Sequence, residues 1–195
     1  MRRVGDIAVS ALLLIVLSPL LAVLAVMVWR SSPGPILFRQ ERVGLNGKPF
    51  MLLKFRSMRQ SNEGPAVTAG GDARITRVGA FMRQWKLDEL PQFINVLRGE
   101  MALVGPRPEV PRYVQHYTPE QMQVLSVKPG ITGLTQLEYR HEERMLAGRE
   151  DVEHAYIHEI MPAKLELDLQ YIRNRTLVGD LALLVRTAGA VLGRG

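Results

Sequence analysis

The chain has 195 residues, a net charge of +6, a pI near 10.0 and no cysteine. That length suits one domain with a usable core, and the missing cysteines exclude disulfides and cysteine-ligated zinc while fitting a reducing, cytosol-facing location. The basic balance asks for an anionic partner, and with 6% aromatics and no zinc-finger or RNA-recognition signature, nucleic acid is the weakest choice behind an anionic membrane or a phosphate-rich substrate.

Residues 7–29 carry no charge. As one straight helix they would measure roughly 34 Å, enough to cross a bilayer core. The run is too long for a signal peptide, and no small-residue cleavage site follows it. Two features speak against a straight span. Pro19 lacks an N–H, so the carbonyl of Ile15 loses its helical partner, and the Ser18 hydroxyl is placed to take over part of that bonding. Both flanks are basic, with Arg2 and Arg3 before the run and Arg30, Arg39 and Arg42 after it. Basic flanks prefer the cytoplasmic side. A re-entrant helix-break-helix, bent at Ser18 and Pro19 and leaving by the face it entered, satisfies both flanks and is preferred over a spanning helix. The chain then divides into a membrane hairpin at residues 1–30 and a cytosolic, membrane-associated domain at 31–195.

Residues 31–35, Ser-Ser-Pro-Gly-Pro, close the membrane segment. Residues 36–55 read as a β-hairpin turning at Asn46-Gly47, with Lys54 and Arg56 at its end. Residues 60–72 are polar and glycine-rich and predict a mobile loop. Residues 73–86 have helical spacing, with Ile75, Val78, Gly79 and Met82 on one face.

The stretch 83–108, RQWKLDELPQFINVLRGEMALVGPRP, is the most informative. Two adjacent carboxylates, Asp88 and Glu89, lie among Arg83, Lys86, Arg98 and Arg107. One reading is a helix start: Asp88 as cap, Pro91 in the first turn, Gly99 just past the end. The other is a metal and phosphate site with arginine clamps. Pro106 and Pro108 fix the backbone around Arg107, which lowers the cost of holding its guanidinium ready for an oxyanion. On a regular helix Arg83 and Asp88 would point about 140° apart, so they meet only if the helix ends between them.

Thr118 caps a helix starting at Pro119. Residues 128–133, KPGITG, read as a turn whose N–H groups could cradle an anion. Residues 138–159 are locally acidic and predict a solvated helical face. His154 and His158 are four apart, but no neighbour supplies a third metal ligand. Residues 164–173 are amphipathic, with Leu165, Leu169 and Ile172 inward. Leu181, Leu184, Val185, Ala188 and Leu192 form an apolar face, with Arg186 and Arg194 available to headgroups, and predict an interfacial amphipathic helix. The fold class is α+β and mostly helical.

A membrane hairpin, a basic domain and an Asp-Glu dyad among arginines suit phosphate chemistry on a lipid. An exposed Asp88 would be ionised at neutral pH and could attack phosphorus without a general base. Asp88, Glu89 and a substrate diphosphate could together ligate Mg²⁺.

The combination LDELPQFINVLRGEM, ALVGPRP, LLKFRSM and KPGITGL resembles the bacterial sugar transferases, the monotopic phosphoglycosyl transferases. The resemblance runs from the basic N-terminus to the last apolar helix, in the form without extra N-terminal spans. It implies transfer of a phospho-sugar from a UDP-sugar to a polyprenyl phosphate, with release of UMP, at the bacterial inner membrane. It implies Asp88 as covalent nucleophile, Glu89 as Mg²⁺ ligand beside it, Arg83, Arg107 and Lys54 as phosphate-binding residues, and Ser18 and Pro19 as the helix break. The expected partners are the UDP-sugar, the polyprenyl phosphate and bilayer lipid, with no nucleic acid and a homodimer left open. Lys86 and Ala102 depart from the family pattern, which commonly has a small hydroxyl residue at the first position and Ser at the second.

Overall fold

A computed structural model describes residues 2–59 and 72–193. The loop expected at 60–72 falls almost entirely outside these residues, as does Arg194. Helices α1 (Arg2–Val16) and α2 (Ser18–Ser31) meet at an angle of 65°. The break has the chemistry read from the sequence. Pro19 lies in the first turn of α2, and the Ser18 hydroxyl donates to the Ile15 carbonyl at 2.8 Å. No single helix among the described residues is long and apolar enough to cross a membrane, although this bent pair is apolar enough together.

Much of the apolar surface of the bent pair is exposed. Val4, Leu12, Ile15, Val16, Val23, Val26 and Trp29 are exposed, whereas Leu24 and Val28 are buried against Phe55 and Met82. Burying those two side chains contributes roughly 1.5–3 kcal/mol each. One stripe of α2 therefore belongs to the core of the globular part.

Both ends of the pair are fastened to that part. At the start of α1, Arg2 pairs with Asp180 at 3.1 Å, and Arg3 donates to the carbonyls of Val96 and Leu97. At the end of α2, Arg56 donates to the carbonyls of Val28, Ser32 and Pro35. Two of these cations sit where a helix ends and leaves its last carbonyls unpaired, Arg3 at the helix containing Val96 and Arg56 at α2.

Strands β1 (Leu37–Val43) and β2 (Pro49–Phe55) pair antiparallel, in register from Leu37 opposite Phe55 to Val43 opposite Pro49. The Asn-Gly signal marks the turn: Asn46 and Gly47 both have left-handed backbones, at φ 55° and 75°. Helix α3 (Arg77–Gln84) starts later than its periodicity suggests, because the Thr76 side chain caps it by accepting from the Gly79 N–H. Gly79 lies on the inner face, where a Cβ would fall 1.8 Å from the Ser57 carbonyl oxygen, so only glycine lets the helix approach the segment after β2 this closely.

Helix α4 (Gln92–Arg98) ends at Gly99, left-handed at φ 85°, as its position suggested. Strand β3 (Ala102–Val104) follows. After α5 (Pro111–Val114) and a 3-10 helix at Gln121–Ser126 comes β4 (Gly130–Thr132), which pairs parallel with β3. Thr118 and Gln121 bond reciprocally, Thr118 N–H to Gln121 Oε1 at 2.9 Å and Gln121 N–H to Thr118 Oγ1 at 3.2 Å, but the helix is 3-10 and begins at Gln121 and not at Pro119 as expected. The middle of the 128–133 segment is thus strand, Gly130–Thr132, and not an anion-cradling turn. The Gly130 N–H is bonded to the Pro106 carbonyl at 2.9 Å, and a Cβ on Gly130 would meet Gly105 N at 2.1 Å.

The acidic 138–159 segment is also not one solvated helix. It breaks into α6 (Leu134–Glu138), α7 (Glu142–Met145) and α8 (Val152–Ala155), then a π-helical turn at Tyr156–Ile160. Leu146 and Tyr156 are buried with Tyr113, Met161, Leu165 and Leu169 in the largest core cluster. The apolar residues scattered through the segment outweighed its charge. Helix α9 (Met161–Arg173) buries Leu165 and Leu169, as its periodicity indicated. In α10 (Leu177–Leu192) Leu183 is buried, whereas Leu181, Val185 and Ala188 face outward without partners. The architecture is α+β and mostly helical, with one antiparallel and one parallel strand pair.

Candidate active site

Helix α3 stops at Gln84, and Lys86 takes a left-handed backbone at φ 55°. A non-glycine residue in that region is uncommon and forces a sharp change of direction. The chain then makes one 3-10 turn, Leu87–Glu89, before α4 begins at Gln92. The helix therefore does end between Arg83 and Asp88, and both reach the same charged region. Asp88 does not cap α4: it lies inside the 3-10 turn, and Pro91 occupies the cap position without a side-chain bond.

Asp88 is only 6% exposed, and its Oδ1 is buried with no hydrogen-bond partner among the described residues. This corrects the expectation of an exposed carboxylate. Burial raises the Asp88 carboxyl above the usual carboxylate range, and the charge of Glu89 raises it further, against the pull of Lys54, Lys86 and Arg83. Glu89 behaves oppositely. Burial would raise it as well, but Arg107 overrides this with help from Lys86 and Lys54. Arg107 Nη2 lies 3.2 Å from Glu89 Oε1, and Glu89 in turn holds the Arg107 guanidinium firmly protonated. Of the two carboxyls, Glu89 stays charged and Asp88 takes the first proton.

Lys54, on β2, is pushed down to about 8 by burial and by the charge of Arg42, against the attraction of Asp88. Its ammonium sits 5.2 Å from the Phe38 ring centroid on the neighbouring strand. Arg83 Nη1 contacts Met58 Sδ at 3.7 Å. Lys54, Arg83, Asp88, Glu89 and Arg107 thus gather around one turn, whereas Ser18 and Pro19 form the helix break and take no part in the charged group.

The family model for bacterial sugar transferases matches residues 1–194. The chain belongs to that family. It is 40% identical over 98% of its length to the UDP-glucose:undecaprenyl-phosphate glucose-1-phosphate transferase of Caulobacter vibrioides, covering 69% of that protein. It is 40% identical over 96% of its length to the transferase of the same name in Escherichia coli, covering only 39% of it. It is 38% identical to the exopolysaccharide production protein PSS of Rhizobium leguminosarum bv. phaseoli, covering 96% of that chain. This family member therefore spans less than half of its E. coli relative and nearly all of its Rhizobium one.

Several polar residues around the turn escape a local reading of the sequence. Arg42 donates to the Pro108 carbonyl at 2.9 Å and pairs with Glu109 at 3.2 Å. With the Gly130 N–H on the Pro106 carbonyl, it pins the backbone on both sides of Arg107. Glu109 accepts from the Tyr156 hydroxyl, which lies 3.3 Å from Lys164 Nζ, and Lys164 pairs with Glu142 at 2.6 Å. A buried polar chain thus runs from β1 to α9 beneath Arg107. Asn95 joins β2 to α4: its Oδ1 accepts from the Leu53 N–H at 3.0 Å, and its Nδ2 donates to the Met51 carbonyl at 2.8 Å.

Two signals could have found some of these residues. Arg42 and Lys54 fall on one face of the hairpin, by the two-residue period and the pairing of Phe38 with Lys54. Lys164 and Asp168 interrupt the inward stripe of α9 at a spacing of four, next to Leu165 and Leu169. His154 and His158 pack ring against ring, with centroids 4.3 Å apart, well outside the charged turn.

Proposed function

We propose that the chain transfers a phospho-sugar from a UDP-sugar to a polyprenyl phosphate such as undecaprenyl phosphate, and that it does so through Asp88. The reading rests on one observation above the others. A buried carboxylate oxygen without a partner among the described residues sits on a turn surrounded by Lys54, Arg83, Lys86 and Arg107. The printed names of the Caulobacter and E. coli relatives support the reaction class.

In the first half-reaction an Asp88 oxygen attacks the sugar-bearing phosphorus of the donor. The bridging P–O bond breaks and UMP leaves, which makes an aspartyl phospho-sugar. In the second, an oxygen of the polyprenyl phosphate attacks the same phosphorus, the bond to Asp88 breaks, and the carboxylate is regenerated. Both steps move negative charge among phosphate oxygens, which Arg83, Arg107 and Lys54 neutralise. Arg107 is preset for this by its pinned backbone and costs little reorganisation.

The donor set fits Mg²⁺. Asp88 and Glu89 are consecutive carboxylates, and among the described residues no group of three or more His, Cys, Asp or Glu could hold a metal without the substrate. Mg²⁺ commonly takes one or two carboxylates and completes its shell with phosphates and water. Bound there, it would neutralise phosphate charge and favour the ionised form of Asp88.

The hairpin of α1 and α2 enters and leaves the cytoplasmic face of the bacterial inner membrane. This is supported by the clamps at Arg2, Arg3 and Arg56, which hold both ends on the same folded domain. The reaction is tested by incubating the protein in nanodiscs with Mg²⁺, a panel of UDP-sugars and polyprenyl phosphate. UMP is the expected nucleotide product, and Asp88→Asn abolishes turnover. UDP as product would replace this mechanism with direct glycosyl transfer.

A further inference from the structure

Beside the charged turn lies a cleft of about 1080 Å³, part of it open to solvent. Leu90, Phe93, Ile131, Leu137, Ala190 and Val191 give it apolar walls, and Lys86, Glu89, Arg107, Gln136, Tyr139 and Arg140 line it too. We propose that this cleft is the acceptor channel: it takes the first isoprene units of the polyprenyl phosphate along its apolar walls and presents the phosphate to Lys86 and Arg107. The proposal rests on the transferase reading above and adds where the second substrate sits.

Three observations carry it. First, several polar side chains in the cleft are committed to protein partners, with Gln136 Oε1 the buried lining atom left without one among the described residues. Thr132 and Thr187 hydrogen-bond to each other at 2.5 Å, Thr135 donates to Asp168, and Lys164 is paired with Glu142. The apolar stretch between them asks for no donors or acceptors, which suits an isoprenoid. Second, the charge is of the right sign and on the right residues. The amine of Lys86 and the guanidinium of Arg107 suit a phosphate monoester, and Glu89 marks the adjacent dyad. Third, one wall is α10, the helix whose other face, Leu177, Val178, Leu181 and Val185, is exposed and apolar. A helix with such a face lies well at a lipid interface. It therefore connects the bilayer surface, where the acceptor resides, to a cleft that ends at the dyad.

The two half-reactions separate this proposal from the reading beneath it. Wild-type protein in nanodiscs is mixed with radiolabelled UDP-sugar without acceptor, and the protein-bound label is counted. Polyprenyl phosphate is then added and loss of that label is timed. Ala190→Trp and Val191→Asp should form the adduct to the wild-type level and discharge it at least 10-fold more slowly, with a raised KM for the acceptor. Normal discharge in both variants overturns the channel, as does a selective rise in donor KM, which would give the cleft to the UDP-sugar. Failure of the wild type to form an adduct defeats the underlying reading instead. If either variant loses both steps, photolabelling of the wild type decides. A photoreactive polyprenyl phosphate should mark peptides containing Phe93, Leu137 or Ala190, and marking confined to other peptides overturns the channel.

Discussion

Asn95 offers the sharpest test of how the fold positions the charged turn. It is fully buried, and its carboxamide completes the edge of β2 that faces away from β1. The Leu53 N–H and Met51 carbonyl have it as side-chain partner, and Nδ2 also donates to Glu100 at 2.6 Å. Asn95→Ala removes those bonds and strands the buried Leu53 N–H and the part-buried Met51 carbonyl on the strand that carries Lys54. A buried stranded group costs roughly 1–3 kcal/mol and a part-buried one less, so the loss should be about 3 kcal/mol. At roughly 2–4 °C per kcal/mol for a chain of this size, the melting temperature should fall by about 10 °C. Asn95→Asp should be no better, because its second oxygen would face the Met51 carbonyl and the Glu100 carboxylate. Thermal unfolding of nanodisc-embedded protein reads the effect. A drop smaller than about 2 °C for Asn95→Ala would mean that the carboxamide does not hold β2 to α4.

Asp168 is held up at about 6 by burial, partly offset by its bond from Thr135 and by Lys164. A carboxyl whose folded pKa is raised favours the folded state at low pH and loses that contribution as pH rises through about 6. Asp168→Asn should therefore stabilise the protein by about 3 kcal/mol at pH 7.5, from roughly 1.36 kcal/mol per unit, and change little at pH 4. Equal effects at both pH values would contradict the assignment. Arg42→Met removes the donor to the Pro108 carbonyl and the cation paired with Glu109; we expect kcat/KM for the UDP-sugar to fall at least 10-fold with Arg107 intact, and unchanged kinetics would remove Arg42 as a positioning residue. Because the chain has no cysteine, Val4→Cys gives a single label site. An impermeant maleimide should reach it from the cytoplasmic side only, and periplasmic labelling in intact cells would rule out the re-entrant hairpin.

The parts of the fold that local chemistry decides were legible in the sequence. Ser18 and Pro19 specify their own hydrogen bond, Asn46-Gly47 specifies a left-handed turn, and Gly99 marks a helix end. That Arg83 and Asp88 could meet was legible as well, because it needed only a helix end between them, whereas Arg107 was placed beside them by the family resemblance. What was hidden depended on distant segments. The burial of Asp88 is not a property of its neighbours in sequence. The role of Arg42 depends on residues 66 positions away, and that of Asn95 on β2, 42 positions back. KPGITG was misread because its glycines serve a close strand approach to Gly105, which turn chemistry alone does not distinguish from an anion nest. The acidic 138–159 segment was misread because charge was weighed ahead of Leu146 and Tyr156, which the core required.

The central claim is that Asp88 carries the phospho-sugar. It is tested most directly by intact-protein and peptide mass spectrometry after a brief exposure to the UDP-sugar and Mg²⁺ without acceptor. The account predicts a mass increase equal to one phospho-sugar on the peptide containing Asp88, formed together with UMP and lost when polyprenyl phosphate is added. UMP that appears only with acceptor present, with no modified peptide at any time, would contradict it.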